Sequence, residues 1–229
     1  MTASQLRAER KRLGLTQHEA ALRLGMSQPY FSLLEKGRRV VTSRLAQKAV
    51  KAFNLSPTAL PVRDTDLDKP TDADTLARQL SALGYPGFAH LSAARKQNPA
   101  VVLLHALTQD HLEARLAEAL PWLMLHYPDL DRAWLVREAR LRNLSNRLGF
   151  VTALATRLAE RNRNRNRAAR EALDQLTREL EKSRLDVEDT FGQATLSPVE
   201  RDWLRRNRTP EAAFWHVLSD WRPDLLPYA

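Results

Sequence analysis

The stretch SQPY, at residues 27–30, places polar side chains and a proline where the sequence predicts the start of a helix. Ser27 is a favourable N-cap, and Pro29 falls in the first helical turn, where a missing N–H does no harm. Phe31 and Leu34 have the spacing of a buried helix face. The polar side chains therefore lie at an exposed amino end, where amide and hydroxyl groups can form hydrogen bonds with base edges.

A second short helix, joined by a glycine, is predicted to position these side chains. Thr16 and Glu19 form a capping box that begins this preceding helix, and Gly25 supplies a left-handed turn after it. Ala21 is small where the two helices would cross. Such a pair is a helix-turn-helix, which places its second helix in the major groove of DNA. The side chains predicted to point into the groove are Ser27, Gln28, Tyr30 and Ser32.

Gln28 is the strongest candidate for a contact with a base. A glutamine amide pairs well with N6 and N7 of adenine, whereas a serine can bond several base edges. Gln17 begins the preceding helix, where it is placed to bond a backbone phosphate and to buttress Gln28. Tyr30 is predicted to pack or to touch a phosphate rather than to contact a base.

The excess positive charge lies in the first quarter of the chain. The sequence has 229 residues and a formal net charge of +9. Residues 1–63 contain 12 Lys and Arg against 3 Asp and Glu, whereas residues 64–229 contain 24 of each. A basic segment joined to a neutral one is favoured for binding DNA, because binding releases counterions. Charge alone is equally consistent with a solvated surface. The residues predicted to face outward on the first helix are Arg7, Arg10, Lys11 and Arg12.

Two segments resemble the phage-repressor-like (Cro/lambda-repressor, XRE) helix-turn-helix family: LTQHEAALRLGMSQPYFSLLEKG at residues 15–37 and SRLAQKAVKAFNLSPTAL at residues 43–60. The resemblance covers about 60 residues, a quarter of the chain. It implies a five-helix domain that binds double-stranded DNA as a homodimer on a palindromic operator. It also implies regulation of transcription, with repression as the prior expectation.

The resemblance implies roles for individual residues. The base-contacting positions fall on Ser27, Gln28, Pro29, Ser32 and Leu33. The phosphate-contacting positions fall on Gln17, Arg38, Arg39, Arg44 and Lys48. Tyr30 is grouped with them, because it is predicted to touch a phosphate rather than a base. Pro29 and Leu33 depart from the family pattern, which usually has polar residues there. Leu33 favours apolar contact with a thymine methyl group, and the base sequence that is bound stays open.

The composition indicates two helical domains. Residues 61–75, PVRDTDLDKPTDADT, contain two prolines, five aspartates and almost nothing apolar. We predict a DNA-binding domain over residues 1–62, a linker over residues 63–75 and a second helical domain over residues 76–229. All five tryptophans lie in the second domain, which indicates a separate core. No segment has a convincing strand pattern, so the predicted fold class is all-α.

The sequence argues against an enzyme, a cofactor, a metal site and a membrane protein. The chain has no cysteine, which excludes disulfides and thiolate metal sites and suits the reducing cytoplasm. His18-Glu19 begins like a zinc-protease helix but lacks a histidine at position 22. No Ala-Gly cleavage site, nucleophile elbow or phosphate-binding loop is present. No signal peptide and no run of about 18 apolar residues is found either.

Three hypotheses concern the second domain. It dimerises the protein, or it neutralises a cognate toxin as an antitoxin does, and these two are compatible and favoured together. The third is a ligand sensor with a pocket among Trp122, Tyr127 and Trp134. The side chains that an acidic partner would meet are Arg137, Arg140, Arg142 and Arg147, although Asp131 and Glu138 can pair with some of them. The segment RNRNRNR, at residues 161–167, is either an exposed stalk or loop or a basic clamp.

Overall fold

The computed structural model describes residues 1–92, 94–161 and 167–226, and every regular element in these ranges is helical. This confirms the predicted all-α class. The chain forms two compact units. The first unit contains residues 1–63 and 96–98, and the rest of the described chain forms the second unit.

The first unit contains four α-helices. They are α1 (Ala3–Arg12), α2 (Gln17–Arg23), α3 (Gln28–Glu35) and α4 (Ser43–Ala52). Each helix is capped by a threonine or serine hydroxyl that accepts a hydrogen bond from a backbone N–H three residues later. The caps are Thr2, Thr16, Ser27 and Thr42. Where a fifth helix was predicted, Pro57–Ala59 forms a single 3₁₀ turn capped by Ser56.

The core of the first unit is built from one face of each helix. Its buried residues include Leu6, Ala20, Ala21, Leu24, Phe31, Leu34, Ala46, Ala49 and Phe53. Gly25, between α2 and α3, has φ +56°, the left-handed conformation predicted from the sequence. A Cβ on Gly25 would also lie 3.1 Å from Nζ of Lys48, so α4 approaches this turn.

A short segment from beyond the first 63 residues completes the first unit. The side-chain amide of Gln47 donates to the carbonyl of Lys96 at 2.6 Å. Asn98 is buried, and its amide donates to the carbonyls of Thr58 at 3.0 Å and Leu60 at 2.7 Å. These bonds satisfy backbone groups at the end of the domain, and nothing in the local sequence pattern indicated them.

The second unit contains eight α-helices in the described ranges. They are α5 (Ala73–Leu83), α6 (Pro99–Leu107), α7 (Ala114–His126), α8 (Arg132–Leu141), α9 (Ser145–Arg161), α10 (Arg167–Glu181), α11 (Pro198–Asn207) and α12 (Pro210–Phe214). Short 3₁₀ turns lie at Asp64–Leu67, Pro86–Phe88 and Pro223–Leu225. Every residue of α6 is buried, as expected of a helix that is apolar on all sides.

The acidic segment after residue 63 contains ordered elements of the second unit. Leu67 is buried, and α5 begins after the N-cap Asp72. The buried ring of His105 donates from Nε2 to the carbonyl of Asp66 at 2.9 Å, and Thr71 Oγ1 lies 3.2 Å from its Nδ1. Burial lowers the pKa of His105, which favours the neutral ring.

Gly149, in the middle of α9, makes room for a tryptophan. A Cβ at this position would lie 2.3 Å from Cε3 of Trp215, whose side chain is almost fully buried. The ring therefore packs directly on the helix backbone. This close approach explains a glycine in a helix interior, where it otherwise lowers stability.

Candidate nucleic-acid interface

The predicted base-contacting residues extend from the N-cap Ser27 along α3 to Leu33. Ser27 and Pro29 are exposed, and Gln28, Ser32 and Leu33 are partly exposed. Phe31 and Leu34 point the other way and are buried, as predicted. The helix thus presents one polar face to solvent at the end that a major groove would receive.

The predicted phosphate-contacting residues lie on α2, α3 and α4 and in the segment that follows α3. Arg38, Arg39, Arg44 and Lys48 are exposed, and none of their side chains forms a hydrogen bond or ion pair within the described ranges. Tyr30 is exposed, with its backbone N–H bound by the Ser27 hydroxyl. Gln17 differs from the others because its side chain is partly buried and has two partners.

A chain of hydrogen bonds runs from the base-contacting face into the interior. Gln28 Nε2 donates to Gln17 Oε1 at 3.0 Å, which is the predicted buttress. Gln17 Nε2 donates to Glu35 Oε2 at 2.7 Å. Arg10 Nε donates to Glu35 Oε1 at 2.7 Å, and Arg10 Nη1 donates to the carbonyl of Leu15 at 2.7 Å. Three helices are therefore joined by one polar network.

The carboxylate at the inner end fixes the orientation of both amides. An ionised carboxylate only accepts hydrogen bonds, so Gln17 must turn its NH₂ group toward Glu35. The side-chain oxygen of Gln17 then faces Gln28, which must therefore donate an N–H to it. Gln28 is left with Oε1 and one N–H that this network does not use. An acceptor beside a donor is the pair that adenine N6 and N7 require.

Arg10 and Glu35 form a buried ion pair. The Arg10 side chain is 12% exposed and that of Glu35 is 2% exposed. The expectation that Arg10 faces outward is therefore wrong, because its guanidinium turns inward to Glu35. Burial raises the pKa of Glu35, but hydrogen bonds from Arg10 and Gln17 and the charges of Arg10 and Arg7 outweigh this effect. The pKa of Glu35 is therefore held below its ordinary value.

The aromatic side chains among which a ligand pocket was predicted are packed against neighbouring residues. Trp122 packs edge-to-face on Tyr85 and Tyr127, at centroid distances of 5.2 and 6.4 Å, and Trp134 is buried. A cavity lined by Tyr127 and neighbours on α7, α8 and α10 has a volume of about 30 Å³. Pockets for small organic ligands have volumes of about 300–1,000 Å³. This cavity therefore has room for about one water molecule.

The arginines proposed to meet an acidic partner have internal partners. Arg147 Nε bonds Asp189 at 2.8 Å, and its Nη1 donates to the carbonyls of Leu107 and Gln109. Arg137 and Arg142 pair with Glu138, Arg142 also approaches Asp68, and Arg140 donates to the carbonyl of Glu179. Asp131 caps α8. Of the RNRNRNR segment, residues 162–166 lie outside the described residues, whereas Arg161 bonds the carbonyl of Pro223 and Arg167 pairs with Glu171.

In the described part of the chain, no three His, Asp or Glu side chains are placed to hold a metal ion. Among the described helices, none has the length and apolar character needed to cross a membrane.

Residues 6–60 match a protein family described as helix-turn-helix. The matched range contains α2 and α3, the turn at Gly25 and every residue predicted above to contact DNA. Neither a curated protein nor a solved structure matches the chain.

Proposed function

Given that residues 6–60 form a helix-turn-helix domain of the phage-repressor-like family, which makes the protein a DNA-binding regulator of transcription, we propose that the protein recognises one operator sequence. When bound there, it represses transcription of the adjoining gene. The observation that carries this proposal is the fixed amide of Gln28. Its Oε1 and remaining N–H are available at the amino end of α3, and the orientation follows from the carboxylate of Glu35. A preset amide discriminates between bases because it need not be ordered on binding.

The remaining contacts divide into base contacts and phosphate contacts. We assign Ser27, Ser32 and the apolar side chains of Pro29 and Leu33 to the groove, with Leu33 suited to a thymine methyl group. Arg38, Arg39, Arg44, Lys48, Gln17 and Tyr30 are assigned to the sugar-phosphate backbone. Phosphate contacts set the position of α3 on the duplex but carry no sequence information themselves.

Selection from random duplexes tests the proposed operator binding. We expect the full-length protein to enrich an inverted repeat whose half-sites are about 10 base pairs apart, or a multiple of this spacing, with adenine at a fixed position in each. Footprinting on the protein's own promoter, with and without the product of the adjacent gene, would separate simple repression from an antitoxin role. Enrichment of no sequence would contradict the proposed function.

We further propose that the second unit dimerises through the outer face of α11. Val199 and Trp203 are four residues apart on this helix and are 78% and 53% exposed, whereas Leu204 on the opposite face is buried. Two copies of the helix that pack antiparallel about a two-fold axis would place Val199 of one copy against Trp203 of the other. Residues 64–229 carry no net formal charge, so net charge does not oppose the association of two copies of this unit.

Trp203→Ser tests this dimer surface. We expect the variant to sediment as a monomer at concentrations where the wild type is a dimer, and to need roughly tenfold more protein for half-saturation of a two-half-site duplex, a change of about 1.4 kcal/mol. Leu141→Ser is the matched control, because Leu141 is 70% exposed on a different helix, α8. A dimer that survives Trp203→Ser would remove α11 from the interface.

A further inference from the structure

A basic cleft lies in the first unit beside the helix-turn-helix. It has a volume of about 560 Å³ and is open to solvent between the start of α1 and the end of α3. Three cationic side chains from two elements line it: Arg7 and Lys11 from α1, and Lys36 directly after α3. All three are exposed. None of them was among the residues predicted to contact DNA.

The three cations of the basic cleft are unpaired within the described part of the chain. None of their side chains forms a hydrogen bond or ion pair with any residue in the ranges that the structure covers. Arg12, on the same helix, does have a partner, because its Nε lies 2.7 Å from Oε2 of Glu9. Arg7 and Lys11 are four residues apart on one helix face, where like charges repel each other. Bringing an anion into the cleft relieves this repulsion.

The one carboxylate that lines the basic cleft is already neutralised. The Glu35 carboxylate accepts hydrogen bonds from Arg10 Nε and from Gln17 Nε2, both at 2.7 Å. Arg7 adds an electrostatic effect on this carboxylate but forms no ion pair with it in the described structure. The cleft therefore keeps a net positive charge that internal groups do not cancel.

The position of the basic cleft indicates which anion it meets. Lys36 is two residues before Arg38, so their Cα atoms are at most about 7 Å apart. Each strand of a duplex offers one phosphate per about 3.4 Å of helix axis. A strand held at Arg38 and Arg39 would therefore have neighbouring phosphates within reach of Lys36. A polyanion with such regular spacing can meet all three cations in succession.

We propose that the basic cleft is a second phosphate-binding site for DNA, which holds the backbone phosphates that flank those at Arg38 and Arg39. Arg7 and Lys11 then extend the contact from α3 to α1. This inference rests on the proposed DNA-binding function, and it adds backbone contacts without sequence information.

The double variant Arg7→Gln/Lys11→Gln tests the basic cleft in the full-length protein. Binding to the selected operator and to an unrelated duplex is measured between 50 and 200 mM NaCl. We expect the magnitude of the slope of log K against log salt to fall by about 1.8 on both duplexes, because each lost phosphate contact removes about 0.9. The ratio of the two affinities should not change. Phosphate-ethylation interference should disappear at the flanking phosphates and persist at those assigned to Arg38.

The matched control is Arg12→Gln/Lys51→Gln, which removes the same charge at exposed positions outside the cleft. The proposal requires the control to keep the wild-type slope and interference pattern. It is overturned if the cleft variant behaves as the wild type, or if both variants lower the slope equally. Failure of the proposed function is a separate result, because a wild-type protein that preferred no duplex would still show the cleft's salt dependence on any DNA.

Discussion

Replacing Glu35 with alanine should lower the free energy of unfolding of the first unit by about 3–5 kcal/mol. The substitution leaves the guanidinium of Arg10 without a counter-charge at a side-chain exposure of 12%. It also removes the acceptor of Gln17. All five tryptophans follow residue 63, so tryptophan fluorescence does not report on this unit. Hydrogen exchange of the amides of α1 to α4 in the full-length protein is the appropriate measurement.

The neighbouring surface ion pair provides the control. Arg12 and Glu9 are joined at 2.7 Å, the same distance as Arg10 and Glu35, but their side chains are 60% and 31% exposed. We expect Arg12→Ala to change stability by less than about 1 kcal/mol, because solvent screens an exposed pair. Equal losses in the Glu35 and Arg12 variants would show that burial does not strengthen the inner pair.

The same pair makes the stability of the first unit depend on pH. The pKa of Glu35 in the folded protein lies below its ordinary value of 4.5. Its contribution is therefore fully present above about pH 4.5 and is lost as the pH falls through the lower, folded-state pKa. Glu35→Gln cannot titrate, so its free energy of unfolding should fall less steeply than that of the wild type over this range. Parallel curves would contradict the assignment.

The helix-turn-helix could be predicted because its determinants are local. The Thr16–Glu19 capping box forms as expected, and Gly25 has the positive φ that its place between two apolar spacings indicated. Both signals depend on residues within a few positions of each other. For this reason the start of α3, and with it the position of Gln28, follows from the sequence alone.

The Arg10–Glu35 pair was missed because its members are 25 residues apart. A signal for it did exist. Arg10 follows the buried Leu6 by four positions, and Glu35 follows the buried Phe31 by four, so each charge lies on the apolar face of its own helix. Opposite charges on two inward faces indicate a buried pair, whereas simple counting of basic residues in α1 placed Arg10 outside.

Contacts between distant segments explain the other differences. Residues 96–98 join the first unit through bonds to Gln47, Thr58 and Leu60, and no periodicity in the sequence indicates such a return. The sequence predicts that Arg147 is available to an acidic partner, but its side chain binds Asp189, which lies 42 residues later. Its role depends on the packing of the second unit, which local patterns do not determine.

Replacing Gln28 with alanine should weaken binding to the selected operator by about 1–3 kcal/mol, or roughly 5- to 150-fold, and relax discrimination at one base pair in each half-site. The truncation removes the Oε1 and N–H that we assign to the groove, while the exposed arginines that we assign to phosphates stay in place. Binding to unrelated duplexes should therefore be nearly unchanged. Affinities for the operator and its three variants at that position, measured at one salt concentration, provide the comparison.

Two further glutamine variants decide whether the orientation of Gln28 matters. Gln17→Ala removes the acceptor that holds the Gln28 amide, so it should also lower discrimination at the same base pair, although Gln28 itself is retained. Gln47→Ala is the matched control, because Gln47 bonds the carbonyl of Lys96 instead and belongs to α4. We expect it to keep wild-type discrimination. If Gln28→Ala leaves the preference at every base pair intact, Gln28 does not contact a base, and the network behind it serves only to hold α1, α2 and α3 together.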